Sequence, residues 1–241
     1  MTLSIVIPTK NEETCLPQLF SSIKLQSLQP DQVIIADAQS DDETRCVAEQ
    51  FGAIIVNGGM PGEGRNLGAA VATSELILFL DADVVLEDKQ LLQKAVGEFE
   101  QKNLDIATAD ILPIAGNLYD QFSHEVYNLY VRLWGKTHPH APGFFILVKR
   151  SLHKQINGFD ETVVFAEDHD YVRRAGKVGK FGFLDSVKIS VSVRRQDRDG
   201  RLSMGVKYVL AELHILFIGP IRHNKFNYTF GHPKKDYAGE E

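Results

Sequence analysis

The sequence predicts an α/β fold with a mostly parallel central sheet flanked by helices. Short apolar runs alternate with amphipathic segments of helical spacing three times before residue 60. The first run, Leu3–Ile7, stops at Pro8, and the second, Gln32–Ala36, ends in the carboxylate of Asp37. Repeated strand–helix units imply parallel strands joined by right-handed crossovers, and therefore a Rossmann-like sheet.

The predicted elements continue along the chain in order. The first helix places Leu16, Leu19, Phe20 and Ile23 on one face, and the second starts in the capping-rich turn 38–44. After the strand Ala53–Val56, the pattern predicts a helix to about Thr73, a strand 76–80, a helix Lys89–Lys102, a strand Asp105–Ala109, a helix Leu118–Trp134, and strands Phe144–Val148 and Val187–Val193. A chain of 241 residues, 44% of them hydrophobic, has room for this core in one domain, or in one domain with a small appendage.

The overall charge and the cysteine count narrow the classes of protein. The formal net charge of −6 argues against broad nucleic-acid binding. Cys15 and Cys46, the only two cysteines, have no metal-ligand spacing and suit a reducing compartment. The sequence shows no secretory signal and no apolar run long enough to span a bilayer. We therefore expect a cytoplasmic protein, with peripheral contact at the inner face of the membrane as an alternative.

The buried-strand pattern Leu76–Leu80 ends abruptly in Asp81-Ala82-Asp83. In open α/β sheets, ligands bind at the carboxyl ends of the strands. Two carboxylates one residue apart repel each other unless a cation lies between them, and Mg²⁺ or Mn²⁺ on phosphate oxygens suits such hard ligands. The alternative is a solvated strand end, where aspartate is common.

Three further polar stretches are candidates for a site. Residues 57–68 are dense in glycine, which permits close approach of the backbone to a ligand, and Arg65 offers a fork of donors to a phosphate or carboxylate. The acidic cluster 167–170 indicates either a well-capped helix or a general base at a pocket edge. The basic segment 194–201 is predicted to be a loop able to meet a pyrophosphate.

The segment Tyr208–Ile221 is apolar but too short to cross a membrane, and Glu212 and His214 interrupt it. A helix docked on the core, an interfacial helix on an anionic membrane and an oligomer contact all fit this pattern. The pair His138 and His140 also fits a metal site, although nothing nearby completes a zinc shell.

In their order along the chain, these motifs resemble those of the family 2 glycosyltransferases with the GT-A fold, over roughly Leu3 to Arg195. The matching segments are Ile5–Glu13, Asp37–Thr44, Gly64–Gly68, Asp81–Asp83, and Gly158–Glu161 followed by Glu167-Asp168. The resemblance implies a GT-A catalytic domain over residues 1–200, with a nucleotide-binding half at about 1–110 and an acceptor half at about 111–200. Residues 201–241 would form a C-terminal apolar helix and a polar tail.

The resemblance also implies roles for individual residues. Asp83, helped by Asp81, would hold Mn²⁺ or Mg²⁺, and Asp168 would be the general base in an inverting single displacement. The residues implied to bind the nucleotide-diphosphate sugar are Pro8, Thr9, Glu12, Asp37, Arg65, Asp81, Ala82, Asp83, Arg194 and Arg195. The expected partners are this donor and a sugar, lipid-linked or other hydroxyl acceptor, with a homo-oligomer as a further alternative.

The chain departs from the family pattern at three places. Ala38 stands where glycine is common and Gln39 where serine or another small residue is usual, which leaves the identity of the bound base open. The Gln-x-x-Arg-Trp motif of processive polysaccharide synthases is missing after Val193, which favours transfer of a single sugar.

Other functions remain as alternatives on the same residues. In a haloacid-dehalogenase-type phosphatase, Asp81 would be the nucleophile, but that motif strand normally opens its domain. A nucleotidyltransferase should have a more basic glycine-rich loop near the first strand. A non-catalytic sugar-nucleotide-binding protein also fits, since fold does not determine function.

Overall fold

The computed structural model describes residues 1–135, 137–223 and 230–231, without the side chains of Arg195, Arg198, Asp199 and Leu202. The strands are β1 (Leu3–Thr9), β2 (Gln32–Asp37), β3 (Ile54–Asn57), β4 (Leu76–Leu80), β5 (Val84–Val85), β6 (Ile106–Ile114), β7 (Phe145–Lys149) and β8 (Phe181–Ser192). The helices are α1 (Leu16–Lys24), α2 (Thr44–Phe51), α3 (Pro61–Val71), α4 (Leu91–Gln101), α5 (Leu118–Trp134), α6 (Arg150–Gln155), α7 (Glu167–Gly176), α8 (Arg194–Asp199) and α9 (Arg201–Phe217).

The strands form one eight-stranded sheet in the order β3-β2-β1-β4-β7-β6-β8-β5. Strands β3, β2, β1 and β4 are all parallel, as are β6 and β8, whereas β7 is antiparallel to both of its neighbours. The predicted α/β fold with a mostly parallel sheet is therefore confirmed. The first three strands, each followed by a helix, are the predicted strand–helix units.

Helices cover both faces of the sheet. Alternate residues of β1 point to opposite faces, so that Ile5 and Ile7 pack with α1, α2 and α4, and Val6 packs with α3, α6 and α7. The strands therefore read as continuous apolar runs because both of their faces are buried. The sheet holds the strand ends in fixed positions.

Glycines in the predicted ligand-binding stretch pack a helix against the sheet. Gly64 and Gly68 both lie within α3, which begins at Pro61. A Cβ atom at Gly68 would come within 2.4 Å of Val6 Cγ1, and one at Gly64 within 3.3 Å of the Pro8 side chain. At these two positions the absence of a side chain lets α3 approach β1 closely.

The segment 194–201 is not the basic loop that was predicted. It forms α8, followed by Gly200 at φ 84° and the first turn of α9. Backbone hydrogen bonds from Asp197 N to Val193 O and from Gly200 N to Gln196 O, both 3.0 Å, close the helical turns of α8. The ion pair between Arg201 and Asp197, 2.7 Å apart, joins α9 to α8. Strand β8 also begins earlier than predicted, at Phe181, because it continues through the polar Asp185-Ser186 opposite a register shift between Ala109 and Asp110.

The last helix, α9, packs only part of its apolar surface. Ala211 and Ile215 form a small cluster with Phe165 and Ile221. Phe217 is 77% exposed. Across the described ranges, no helix combines the length and the hydropathy that a membrane crossing requires. The predicted polar tail lies largely at 224–229 and 232–241, outside the described residues.

Candidate active site

The carboxyl ends of β1 and β2 place Thr9 directly opposite Asp37. The Asp37 side chain is fully buried and accepts hydrogen bonds from Ser40 N at 3.1 Å and Ser40 Oγ at 2.6 Å. Thr9 Oγ1 and Arg45 Nη1 lie within 3.3 Å of its two oxygens. Since donors reach both oxygens, this carboxylate is held in one orientation at the sheet edge.

Glu12 and Arg194, both predicted to contact the donor, contact each other. Arg194 Nη2 donates to Glu12 Oε2 at 2.9 Å, and Glu12 N donates to Thr44 Oγ1 at 2.8 Å. Burial raises the pKa of Glu12 to about 7, the charges of Asp83 and Asp81 add to the shift, and Arg194 opposes it. The three acids thus share one electrostatic environment. The side chain of Arg195 lies outside the described part of the chain.

Arg65 joins the strand-end acids to the start of α7. Its guanidinium is buried, with Nη2 2.7 Å from Asp81 Oδ1 and Nη1 2.6 Å from Glu167 Oε1. Burial and the nearby charge of Asp168 raise the pKa of Glu167, while Arg65 opposes that shift. Both terminal nitrogens of Arg65 are therefore committed to carboxylates, which suits a supporting role; donor contact by Arg65 stays a prediction.

Asp168 lies in the first turn of α7. The preceding Ala166 has φ 56°, in the left-handed region that alanine rarely adopts, and turns the chain into the helix. One carboxylate oxygen of Asp168 accepts from Gly143 N at 2.6 Å and the other from His169 N at 2.8 Å. This arrangement holds the Asp168 carboxylate beside the ion-pair cluster of Arg65, Asp81 and Glu167, called here the Arg65 cluster.

Gly143 lies so close to the Arg65 and Asp168 side chains that a larger residue would force one of them to move. A Cβ atom there would come within 2.5 Å of Arg65 Nη2 and 3.2 Å of Asp168 Oδ2. The loop before β7 therefore needs glycine at this position to bring its N–H group to Asp168.

The residues at the end of β4 fit the hard divalent cation that was predicted. Asp81 and Asp83 present carboxylate oxygens on either side of the buried Ala82, and their charges reach Glu12. Among the described residues, no group of three or more His, Cys, Asp or Glu side chains is placed to hold a metal ion. Mg²⁺ sites use one or two carboxylates, with substrate phosphates and water completing the shell, so a two-aspartate site is chemically adequate.

Several residues of this cluster were not among the predicted site residues. They are Ser40, Arg45, Gly143, Glu167, His169 and Glu212. Glu167 and His169 flank Asp168 in the sequence, so the acidic motif indicated them. Glu212 is 43 positions beyond His169 in the numbering, and its only sequence signal is an acid that interrupts an apolar helix.

The family model described as Glycosyl transferase family 2 matches residues 4–156. The chain is 30% identical over 110 residues to the 4,4'-diaponeurosporenoate glycosyltransferase of Staphylococcus haemolyticus, a match covering 42% of this chain and 29% of that protein. It is 25% identical over 188 residues to the O-antigen chain rhamnosyltransferase RfbN of Salmonella typhimurium, covering 70% and 59%. The chain thus spans less than two thirds of the length of these relatives.

Two solved structures show the same fold. The mannosyltransferase PcManGT of Pyrobaculum calidifontis, in complex with GDP-Man and Mn²⁺, has a TM-score of 0.70 at 17% identity, covering 89% of this chain and 64% of that one. Staphylococcus aureus TarS, in complex with UDP, has a TM-score of 0.65 at 20% identity, covering 90% and 73%. The predicted GT-A fold is confirmed, and because the family model matches well over half of the 241 residues, this chain belongs to glycosyl transferase family 2.

Proposed function

We propose that this chain transfers a single sugar from a nucleotide-diphosphate sugar to an acceptor hydroxyl with inversion at the anomeric carbon. The observation that carries the proposal is the Arg65 bridge, which ties Asp81 at the strand ends to Glu167 beside Asp168. It brings acids suited to a metal–diphosphate together with a carboxylate suited to proton removal. Family membership supports the reaction class.

On the donor side, the sugar nucleotide would lie across the carboxyl ends of β1, β2 and β4. Asp37 and Glu12 would reach the nucleoside, alongside Pro8 and Thr9, and Arg194 would close over the diphosphate. Arg194 now pairs with Glu12 at 2.9 Å. We therefore expect donor binding to exchange part of that pair for contacts with phosphate.

Asp83, helped by Asp81, would hold Mn²⁺ or Mg²⁺. When bound, such an ion neutralises the charge that develops on the leaving diphosphate. One oxygen of Asp81 is already engaged by Arg65 at 2.7 Å. Through this contact Arg65 would keep Asp81 oriented beside Asp83, which we propose to coordinate the ion directly.

Asp168 is the proposed general base. As the acceptor oxygen forms its bond to the anomeric carbon, the bond from that carbon to the diphosphate breaks, and Asp168 takes the hydroxyl proton. The N–H groups of Gly143 and His169 hold both of its oxygens, at 2.6 and 2.8 Å. A base oriented in this way loses little freedom when the acceptor arrives.

The test combines a transfer assay with measurements of donor binding. A thermal-shift screen of nucleotide-diphosphate sugars, with and without Mn²⁺, should first identify the donor, because a ligand of the native state raises its apparent stability. Asp168→Asn should then lower kcat by roughly 10²- to 10⁴-fold while donor affinity is kept. Asp83→Asn should instead abolish the metal-dependent part of donor binding.

Asp170→Asn is the matched control for Asp168→Asn. Asp170 lies in the same turn of α7 but pairs with Arg174 at 2.7 Å, whereas Arg65 pairs with Asp81 and Glu167. We expect this variant to retain most of the wild-type kcat. Unchanged turnover in Asp168→Asn would reject the base assignment, and donor binding without any turnover would favour a non-catalytic binding protein.

The phosphatase alternative is not favoured by the family assignment. In the structure, three strand–helix units precede the Asp81 strand, and Asp81 is paired with Arg65. Hydrolysis of p-nitrophenyl phosphate that disappears in Asp81→Asn would revive this alternative.

We further propose that the protein works on cell-envelope glycan at the cytoplasmic surface of a membrane. RfbN is named for the O-antigen chain. Helices α5 and α9 lie side by side, with Arg201 Nε 2.8 Å from Asp120 and Tyr130 Oη 3.2 Å from Glu212. Both turn apolar side chains outward, among them Phe122, Leu129 and Leu133 on α5, and Val209, Leu213 and Phe217 on α9. Exposed apolar side chains on two neighbouring helices are typical of an interaction surface.

The partner that we propose for this surface is an anionic membrane. Within residues 201–223, Arg201 pairs with Asp120 and Asp197, Arg222 pairs with Asp160, and the single acid, Glu212, pairs with His169. Lys207 adds a cation on the same helix as the exposed apolar side chains, in a chain that carries −6 as a whole. Sedimentation with anionic vesicles, lost in Phe217→Ser and Leu213→Ser, tests this; a dimer by light scattering with no vesicle binding would assign the surface to a second copy instead.

A further inference from the structure

The C-terminal segment beyond the family match packs directly on the residues that lead into α7. Val164 N donates to Ile221 O at 2.9 Å, and the Phe165 and Tyr208 rings stack with centroids 6.3 Å apart. Arg222 Nη2 lies 2.9 Å from Asp160 Oδ2. The segment 160–167 is thus held from outside by α9 and the residues that follow it.

This contact includes an ion pair next to the proposed base. His169 Nδ1 lies 2.5 Å from Glu212 Oε1, and Tyr130 Oη donates to the other Glu212 oxygen at 3.2 Å. Only 12% of the His169 side chain and 25% of the Glu212 side chain is exposed. Truncating one partner of a buried charge pair leaves the other unsatisfied, so this contact constrains both helices.

At neutral pH both partners are charged. Burial lowers the pKa of His169, but the carboxylates of Asp168 and Glu212 outweigh it and raise that pKa to about 9. Burial raises the pKa of Glu212, but the contact with His169 outweighs it and lowers that pKa to about 2. The attraction is therefore present at neutral pH and is lost as the pH rises through about 9, where His169 loses its proton. The other titratable groups facing the pair are Glu167 and Arg173 on α7, Tyr127 and Tyr130 on α5, and His140 in the loop before β7.

We propose that Glu212 is a positioning residue for the transfer reaction. Its contact with the His169 ring would hold His169 so that the backbone N–H of His169 and the start of α7 keep Asp168 aligned. The inference rests on the proposed function, because it takes Asp168 as the base. The path is short: Glu212 contacts the His169 ring, and His169 N donates to Asp168 Oδ1 at 2.8 Å. It assigns a catalytic purpose to a segment outside residues 4–156.

The alternative is that the pair only adds stability. The two roles predict different effects on kcat and on donor affinity. The proposed donor-binding groups lie at the strand ends, whereas Glu212 reaches only the acceptor side. A positioning role predicts loss of kcat with unchanged donor affinity, since a misplaced base slows the chemical step alone. It also predicts a change on the alkaline side of the pH profile, where His169 loses its proton.

The test compares Glu212→Gln with wild type in the transfer assay. We expect kcat to fall by about tenfold or more, donor Kd to stay within about twofold, and the alkaline limb of the kcat profile to move from near pH 9 to lower pH. Glu125→Gln, an exposed acid on α5, is the matched control and should change none of these. A kcat within about threefold of wild type, or a loss with an unmoved alkaline limb, overturns the proposal.

Glu212→Asp keeps the charge on a side chain one methylene shorter and provides the second variant, should Glu212→Gln fold poorly. It should keep the alkaline limb near pH 9 while kcat falls less than in the glutamine variant; a kcat equal to wild type with a displaced limb would contradict the inference. Asp168→Asn is measured in parallel. If it keeps its turnover, the proposed function fails; if it loses turnover while both Glu212 variants keep theirs, only this inference fails.

Discussion

The two halves of the site are held in place by different means. In the proposed nucleotide-binding half, Asp37 ends β2 and Asp81 follows β4, and the parallel register of both strands with β1 places these acids at one edge of the sheet. In the proposed acceptor half, Asp168 sits at the start of a helix, after a left-handed Ala166, and depends on loops and on α9. The comparison shows that sheet register brings the strand-end acids together, whereas the position of Asp168 depends on contacts between distant segments.

Arg65 is the residue at which the two halves meet. Its pairs with Asp81 and Glu167 cross from one half to the other, and its guanidinium lies over the Phe159 ring at 5.4 Å. The following substitutions disturb the Arg65 pairs, the acceptor half or the donor-side strands, in order of decreasing expected effect.

Replacing Arg65 with methionine should have the largest effect on stability. The substitution leaves Asp81 and Glu167 without the buried cation that both contact at less than 3 Å. Loss of one partner from a buried ionic cluster costs about 3–5 kcal/mol. Denaturant unfolding of Arg65→Met should show a loss of this size, with the slope of the transition unchanged.

Arg45→Met is its control. Arg45 also pairs with a strand-end acid, Asp37, but its side chain is 43% exposed. Exposed pairs contribute about 0–1 kcal/mol. If the two variants lose equal free energy of unfolding, burial does not explain a difference between the Arg65 pairs and the Arg45–Asp37 pair.

His153, in the acceptor half, should make the protein sensitive to mild acid. Burial lowers its pKa to about 4, and the charges of Arg174 and Lys154 add to this; its Nδ1 lies 2.9 Å from the Tyr171 hydroxyl. Because the native state resists protonation of this group, its contribution to stability is complete above pH 6.5 and is lost as the pH falls toward 4. From the size of the shift, the loss is roughly 3 kcal/mol.

The measurement is the unfolding free energy of wild type and His153→Gln at several pH values from 7.5 to 4.5. The variant should be less stable at neutral pH, yet lose less stability as the solution is acidified. His138→Gln, at an exposed position, should keep the wild-type slope. Parallel slopes for wild type and His153→Gln would show that another group controls the acid sensitivity.

The smallest expected effect concerns the packing of α3 on the donor-side strands. Gly68→Ala would place a methyl group 2.4 Å from Val6 Cγ1, and such overpacking costs about 1–3 kcal/mol. Gly97→Ala in α4 meets nothing within 4 Å and lies inside a helix, where alanine is favoured by roughly 1 kcal/mol. The two substitutions should therefore shift thermal unfolding in opposite directions. A higher melting temperature in both variants would mean that α3 moves away from β1 at little cost.

Much of the donor half could be predicted because it depends on local pattern. Apolar runs bounded by polar turns identified β1, β2 and β4, and the strand-end acids Asp37, Asp81 and Asp83 followed directly from those runs. The glycines around Arg65 were noted, but their packing role in α3 was not, because the pattern does not distinguish a ligand-binding loop from a tightly packed helix.

The acceptor half was harder to predict. The acidic motif pointed to Asp168, yet its contacts with Gly143 and, through His169, with Glu212 join segments far apart in the chain. The basic segment 194–201 was expected to be a loop and is helical, because a run of charged residues carries no apolar periodicity by which a helix is recognised.

The order and spacing of apolar and acidic residues were enough to establish a parallel sheet and the acids at its edge. A strand buried on both faces is apolar along its whole length, so its composition reveals its burial. They could not establish which of those acids share a counter-ion. Arg65 between Asp81 and Glu167, Arg194 against Glu12 and Glu212 against His169 all result from folding. An ion pair across a buried interface depends on distances between side chains that only the packed chain defines.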